Sequence, residues 1–320
     1  VALMALDIGP GHEVLTTPFT FFATGGAIAR LGATPVFCDI DPDTYNLNAE
    51  SASGFISKHC VMKNGELVNK NTNRTVKAIM PVHLFGQTAD MNPIMSLAKE
   101  NNLYVIEDAA QAIGARHAGQ HAGTVGDVGC FSFFPTKTLG AFGDGGMIVT
   151  DDDDLAREIR RIRHHGAEPK YVHHRLGGNF RLDALQAAIL EVKLDPVSSW
   201  IAARARHAEA YDKVLPGRVR PGIGAHNDHA WHQYTIRVPN RDAFREQMWA
   251  DGIETQIYYP TSCETQPCFA SYEAKIVGDL TQTHAACNEV LALPVFPELT
   301  DDERSYVMGR LDAHLAAQAA

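Results

Sequence analysis

Short apolar, β-branched runs at residues 13–17, 35–40, 76–83, 104–109 and 128–134 alternate with helix-patterned stretches at 23–31, 90–101 and 152–165. Strand, helix, strand at this spacing confines the first half of the chain to an α/β fold with a mainly parallel sheet. Such a sheet presents its ligand chemistry at the carboxyl ends of its strands. The polar stretch 57–75, with Asn64 and Gly65 at its middle, reads as a surface hairpin or insertion. After Leu194 the pattern breaks at Pro196, an Ala/Arg-rich helical pattern follows at 200–214, and a Gly/Pro-rich segment occupies 216–224. A boundary near residue 195 therefore separates residues 1–195 from a smaller α+β domain of residues 196–320.

Charge and composition narrow the classes of function. A chain of 320 residues can bury a core that needs no disulfide or metal staple. Its 28 Lys and Arg against 38 Asp and Glu give a net charge of −10, the wrong sign for general binding to nucleic acid or an anionic membrane. No apolar run approaches the ~20 residues of a membrane helix. Residues 1–6 are apolar but run straight into Gly9-Pro10-Gly11, so they read as the end of a helix, not a signal peptide. The six cysteines lack paired metal spacing and read as reduced thiols of a cytoplasmic protein. His164, His165, His173 and His174 surround a polar turn and read as a substrate-side loop, so no metal is expected. The acidic run 151–154 reads as a hairpin exit and helix start, where negative charge meets the positive helix end.

The chemistry concentrates in VIEDAAQAIGA (105–115) and CFSFFPTKTLGAFGDGGMIVT (130–150). Asp108 closes an apolar strand, where a carboxylate is costly unless a cation meets it. Lys137 lies 137 − 108 = 29 residues further on, in a polar turn before a Gly-rich hairpin. A pyridoxal phosphate site needs this division of labour. A lysine amine takes the aldehyde, and a carboxylate keeps the pyridinium nitrogen protonated. Each residue alone has a plainer reading as a helix cap or a solvated lysine. Ser132, a phosphate donor, and Gln111, a ring ligand or pocket brace, join them in one pattern.

These residues resemble the DegT-type sugar-nucleotide aminotransferases of the fold-type I pyridoxal-phosphate enzymes. The matching runs are GPGHEVLTTPFTFFATGGAI (9–28), PVFCDIDPDTYNLN (35–48), PVHLFGQTADM (81–91), EDAAQAIGA, SFFPTKTLGAFGDGG and GGNFRLDALQAAIL (177–190). CNEVLALPVFPELT (287–300) carries the resemblance into the second domain. The resemblance implies a PLP-transferase large domain at 1–195, its amino-terminal part missing, and a small carboxyl-terminal domain. It makes Lys137 the Schiff-base lysine and catalytic residue, Asp108 the pyridinium partner, Phe21 the ring that stacks on the cofactor, and Gln111 and Ser132 its further ligands. Asn179 would reach a phosphate in the neighbouring subunit's site, which implies a homodimer with shared sites. His83, Arg181 and Tyr258 fall on the substrate side. For His83, a wall behind the cofactor and a satisfied core histidine both stay open.

The implied reaction converts a nucleotide-linked keto-sugar to an amino sugar, with pyridoxal 5′-phosphate as cofactor and glutamate as donor. Two alternatives are a PLP-dependent sugar dehydratase, whose members resemble this chain but carry His at the lysine position, and a non-catalytic paralogue with a structural or regulatory role. Relatives begin some tens of residues earlier, with a Ser-Gly-Thr-type phosphate loop. This chain starts inside the following helix, so weak cofactor retention is expected. A second departure lies in IYYPTSCETQPCF (257–269), where Glu264 stands in place of a family histidine.

Overall fold

A computed structural model describes residues 1–271, 275–276 and 280–319. Strands β1 (His12–Thr16), β2 (Thr34–Phe37), β3 (Cys60–Lys63), β4 (Glu66–Asn69), β5 (Arg74–Met80), β6 (Tyr104–Asp108), β7 (Val128–Ser132) and β8 (Gly146–Val149) build one sheet. Its order is β8-β7-β6-β5-β1-β2, with the short strand Lys275–Ile276 beyond β2. The pairs β2/β1, β1/β5, β5/β6 and β6/β7 are parallel, and only β8 and the β3–β4 hairpin join antiparallel. The α/β fold with a mainly parallel sheet is thus present.

Helices α1 (Ala2–Ala5), α2 (Ala23–Arg30), α3 (Ala49–His59), α4 (Met91–Asn101) and α5 (Asp153–Arg163) flank the sheet. Neighbouring strand residues point to opposite faces, and here both faces are covered. Leu15, Ile79 and Val105 pack with Phe55, Met91 and Ile94 on one side. Their neighbours Val14, Ala78 and Ile106 pack with Leu3 and Ile28 on the other. Burial on both faces explains why these strands read as continuous apolar runs. Polar side chains set the helix starts: Asn48 accepts from the backbone of Glu50 and Ser51, and Asp152 from that of Asp154 and Leu155.

The stretch expected as a surface hairpin at 57–75 is a hairpin with a core duty. Helix α3 runs into it as far as His59, and Asn64 and Gly65 make its turn with φ of 54° and 83°. Strand β4 pairs with β5, and Asn69 and Thr72 donate to the fully buried carboxylate of Glu13 at 2.8 and 2.7 Å. Without those donors Glu13 would be an unpartnered buried charge.

Helices α6 (Ala184–Leu194) and α7 (Val197–Val214) follow, parted at Asp195 and Pro196. A second core then forms around the antiparallel pair β9 (Tyr234–Arg237) and β10 (Val290–Leu293), with α7, α8 (Arg241–Ala250) and α10 (Asp301–Ala319). Tyr211, Tyr234, Phe244, Met248 and Leu311 fill it. Helix α9 (Thr281–Glu289) returns to the first half, where Ala286 packs with Phe19 and Phe85.

Candidate active site

Asp108 ends β6 at the carboxyl edge of the sheet, and its backbone is held from both sides. Its N–H donates to Pro81, and its carbonyl accepts from His83, both at 2.9 Å. Its carboxylate accepts from the Thr24 hydroxyl at 2.8 Å and from the Ala110 N–H at 3.2 Å. Thr24, in the first turn of α2, in turn shares a 3.0 Å hydrogen bond with Thr20. Neither threonine stood out in the sequence; a hydroxyl partner for a strand-end carboxylate was the one available signal.

Lys137 projects from the turn after β7. Its N–H donates to the Phe134 carbonyl at 2.9 Å, and that of Ala141 to Phe133 at 2.8 Å. The turn is tight: a Cβ on Gly140 would lie 2.4 Å from the Pro135 carbonyl oxygen. Lys137 is half-buried, and burial lowers the pKa of its amine while the charge of Asp108 works in the opposite sense. That coupling places the two expected partners in one electrostatic neighbourhood. Ser132 precedes the turn and accepts from the Phe134 N–H at 3.3 Å. Phe21 is 61% exposed and leans on Tyr259 at 6.5 Å, so its other face is free.

Gln111 is buried and engaged at both ends. Its carbonyl accepts from the Phe85 N–H at 2.7 Å, and its amide donates to the Tyr259 hydroxyl at 3.1 Å. It therefore braces the wall of the pocket. Tyr259, absent from the sequence expectations, is held in its neutral form by burial. The substrate-side placement of His83 needs correction. The ring is fully buried, Nε2 lies 2.7 Å from Glu107, and Nδ1 accepts from the Ala89 N–H at 3.1 Å, so no nitrogen is left for a substrate. Burial raises the Glu107 pKa, but hydrogen bonds from His83, Gly126 and Gly123 outweigh it and hold the carboxyl low. The pair locks the loop behind Asp108.

Asn179 and Arg181 lie together on an exposed segment: Asn179 bridges to the backbone of His164, and Arg181 approaches the His164 ring at 3.3 Å. Within the described residues, neither bonds to Asp108, Lys137 or Ser132. Tyr258 is half-buried and lines a cavity beside the lysine turn whose wall includes Thr136. Glu264 accepts from Ser262 at 2.5 Å and pairs with His284 at 3.0 Å.

The parts brought together are a primary amine of lowered basicity, a strand-end carboxylate held by a hydroxyl, a serine at the strand mouth and an aromatic ring with a free face. This donor set fits pyridoxal phosphate, for which Lys137 would meet the aldehyde, Asp108 the ring nitrogen, Ser132 the phosphate and Phe21 the ring. The chain belongs to the DegT/DnrJ/EryC1/StrS aminotransferase family, which it matches over residues 1–312. It is a PLP-dependent transaminase of this class. Among its relatives is a protein of Geobacillus stearothermophilus named pleiotropic regulatory protein, 47% identical over 97% of this chain and 80% of the relative. The UDP-N-acetyl-3-dehydro-α-D-glucosamine 3-aminotransferase of Acidithiobacillus ferrooxidans is 44% identical over 95% of this chain and 78% of its own length. A crystal structure of a family aminotransferase from Brucella abortus superposes with a TM-score of 0.92 at 37% identity, covering 98% of this chain and 82% of the other.

Proposed function

We propose that this chain transfers the amino group of glutamate to the keto carbon of a nucleotide-linked sugar, as a cytoplasmic homodimer whose two sites are shared. The observation that carries the reading is Lys137, with its amine of lowered basicity beside an Asp108 carboxylate fixed by Thr24. Pyridoxal phosphate, when bound, supplies the electron sink for a carbanion at the amino-bearing carbon. Lys137 Nζ serves as base and acid, taking the proton from the donor's α-carbon and returning one to the carbon that receives the amine in the second half of the cycle. Burial lowers its pKa, the direction a base requires. Asp108, anchored by Thr24, would hold the charge of the ring nitrogen, and Phe21 would cover one face. Ser132 and the partner subunit's Asn179 hold the phosphate, and Arg181 offsets the charge of an anionic substrate. Tyr258, in the YYP run, and the name of the Acidithiobacillus relative favour a 3-keto sugar.

The homodimer is supported by a helix without a cover. Helix α6 reads ALQAAILEVKL, yet only Leu190 is buried, and Leu185 and Val192 are 71% and 75% exposed. Phe142, Leu176 and Phe180 add to the exposed apolar surface. Surface of this kind marks an interface. The dehydratase reading is disfavoured by Lys137 itself. The non-catalytic reading, which the name of the Geobacillus relative echoes, leaves the amine and the anchored carboxylate without a task.

The test is Lys137→Ala, assayed with glutamate and a 3-keto sugar nucleotide. Turnover is expected to fall by at least ~1,000-fold, within the range a positioned acid–base group supplies. The visible band of lysine-bound cofactor should vanish while the fold persists by circular dichroism. Wild-type turnover in that variant would overturn the reading.

A further inference from the structure

The turn that carries Lys137 is closed only in part by its own backbone. The Phe133 N–H donates to the Gly145 carbonyl at 2.8 Å, and the N–H groups of Lys137 and Ala141 close two smaller rings inside that one. Phe134, Pro135 and Thr136 are exposed, and glycines stand at 140, 143 and 145. A segment so open to water and so rich in glycine has little stiffness of its own. The lysine is therefore held from outside the turn.

The hold comes from α6. Leu139 and Ala141, two and four residues beyond Lys137, pack with Leu190. The Phe142 N–H donates to the Gln186 side-chain carbonyl at 2.8 Å, and Lys193 Nζ donates to the Gly140 carbonyl. Gln186, Leu190 and Lys193 stand four and three residues apart, so they share one face of the helix. The glycines make room for that face. A Cβ at Gly143 would lie 3.1 Å from the Gln186 amide nitrogen, and one at Gly145 would lie 2.9 Å from Leu182, just ahead of the helix. The Lys193 ammonium also stands 5.6 Å from the centre of the Phe142 ring. Its charge is thus directed at a backbone carbonyl and an aromatic face of the lysine turn, and a bond from a charged donor is roughly twice as strong as a neutral one.

Both polar anchors act on peptide groups, so they set the place of the whole turn and not of one side chain. We propose that Gln186 and Lys193 are positioning residues of the transamination: they clamp the backbone at Phe142 and Gly140 and so hold the segment from which Lys137 projects. The inference rests on the aminotransferase reading above, in which Lys137 moves the proton. Neither anchor bonds to Lys137, Asp108 or Ser132 among the described residues, so both act through geometry. A misplacement of about 1 Å at a reacting group can cost on the order of 100-fold in rate, which makes the clamp weigh on the chemical step and not on donor affinity.

The experiment compares Gln186→Met and Lys193→Met, which remove the anchors at similar volume, with Gln186→Glu and Lys193→Arg, which keep an acceptor and a charged donor. Stopped flow follows the glutamate half-reaction of each holoenzyme. In the cofactor-free full chain, trace acetic anhydride labels Lys137, and mass spectrometry reads it against the chain's other lysines. Both Met variants should slow the half-reaction by at least about tenfold at saturating glutamate, with glutamate affinity within about twofold of wild type. Gln186→Glu and Lys193→Arg should recover the rate to within about threefold. Labelling of Lys137 should rise by at least about threefold in the Met variants and return toward wild type in the other two, because a loosened turn exposes the amine. Should one Met variant fail to fold by circular dichroism, the other decides. Wild-type rate and labelling in the folded Met variants overturn the clamp while leaving the transaminase reading intact. A loss that the conservative variants share in full also overturns it, since lost packing and not a lost hydrogen bond would then be the cause. A wild type inert toward glutamate removes that donor from the reading above, and the labelling of Lys137 then decides the clamp by itself.

Discussion

A carboxylate at a strand end is useful only if its geometry is held, and Thr24 does much of that holding for Asp108. Asp108→Asn should slow α-proton removal by roughly 100- to 1,000-fold, the usual cost of losing a charge-stabilising group in a preorganised site. Thr24→Val loses one hydrogen bond to a charged group, worth about 1.5–3 kcal/mol, so kcat/KM should fall by about 10- to 150-fold. Thr24→Ser should recover most of it, because the hydroxyl and not the methyl bonds Oδ2. Stopped-flow measurement of the glutamate half-reaction checks all three. Lys137 carries a stability signature as well. Burial holds its folded pKa below the ordinary lysine value of about 10.5, so above the folded pKa the unfolded chain binds more protons and stability rises with pH until the ordinary value is passed. Lys137→Met in cofactor-free protein should therefore melt higher than wild type near pH 7, because the buried charge is gone. The difference should shrink as the pH approaches 10.5; a gap that widens with pH would refute the cause assigned to the shift.

At the scale of an element, the loop at 84–86 couples the two halves of the chain. Phe85 adopts φ of 61°, a left-handed conformation rare for an aromatic residue, and its N–H is claimed by Gln111. Gly86 follows with φ of 97°, and its carbonyl accepts from Ala230 at 2.8 Å. A Cβ at position 86 would stand 2.7 Å from the backbone nitrogen of His232. Gly86→Ala should destabilise by about 2–4 kcal/mol, from overpacking and positive-φ strain together. A shift of the urea midpoint measures this, and an unchanged midpoint would show that the two segments part without cost. Because the same contact sets the place of His232, the variant should also disturb the cavity beside Lys137.

For the whole molecule, the uncovered face of α6 and the exposed segment carrying Asn179 and Arg181 address the same question. On the proposed reading, apolar surface drives the association and the polar segment crosses into the partner's site. Leu185→Glu with Val192→Glu should yield monomers by light scattering and reduce turnover by at least tenfold, on the order expected when two charges enter an apolar contact. Mixing inactive Lys137→Ala with inactive Asn179→Ala subunits should restore up to about a quarter of the sites, since random exchange makes half the dimers mixed and one site in each complete. A fully active monomer would contradict the shared site. Helix α10 is the longest described helix at 19 residues, yet Asp301, Asp302 and Glu303 open it, and no described helix is long and apolar enough to cross a membrane.

The parallel sheet, the strand-end Asp108 and the lysine turn were legible in the sequence, because each is written in consecutive residues. Burial on both sheet faces prints itself as apolar runs, and a Gly-rich turn around one lysine is a local pattern. His83 shows where such reading stops: its two nitrogens are consumed by Glu107 and Ala89, and burial alone separates that from a substrate contact. Thr24 meets Asp108 across 84 residues, and Tyr259 meets Gln111 across 148. Arg204 reaches Val295 across 91. No periodicity records such pairs, since periodicity reports which face of its own element a residue occupies. Crossovers between parallel strands and the return of α9 onto Phe19 decide which faces meet, and packing of that kind exists only in the folded chain.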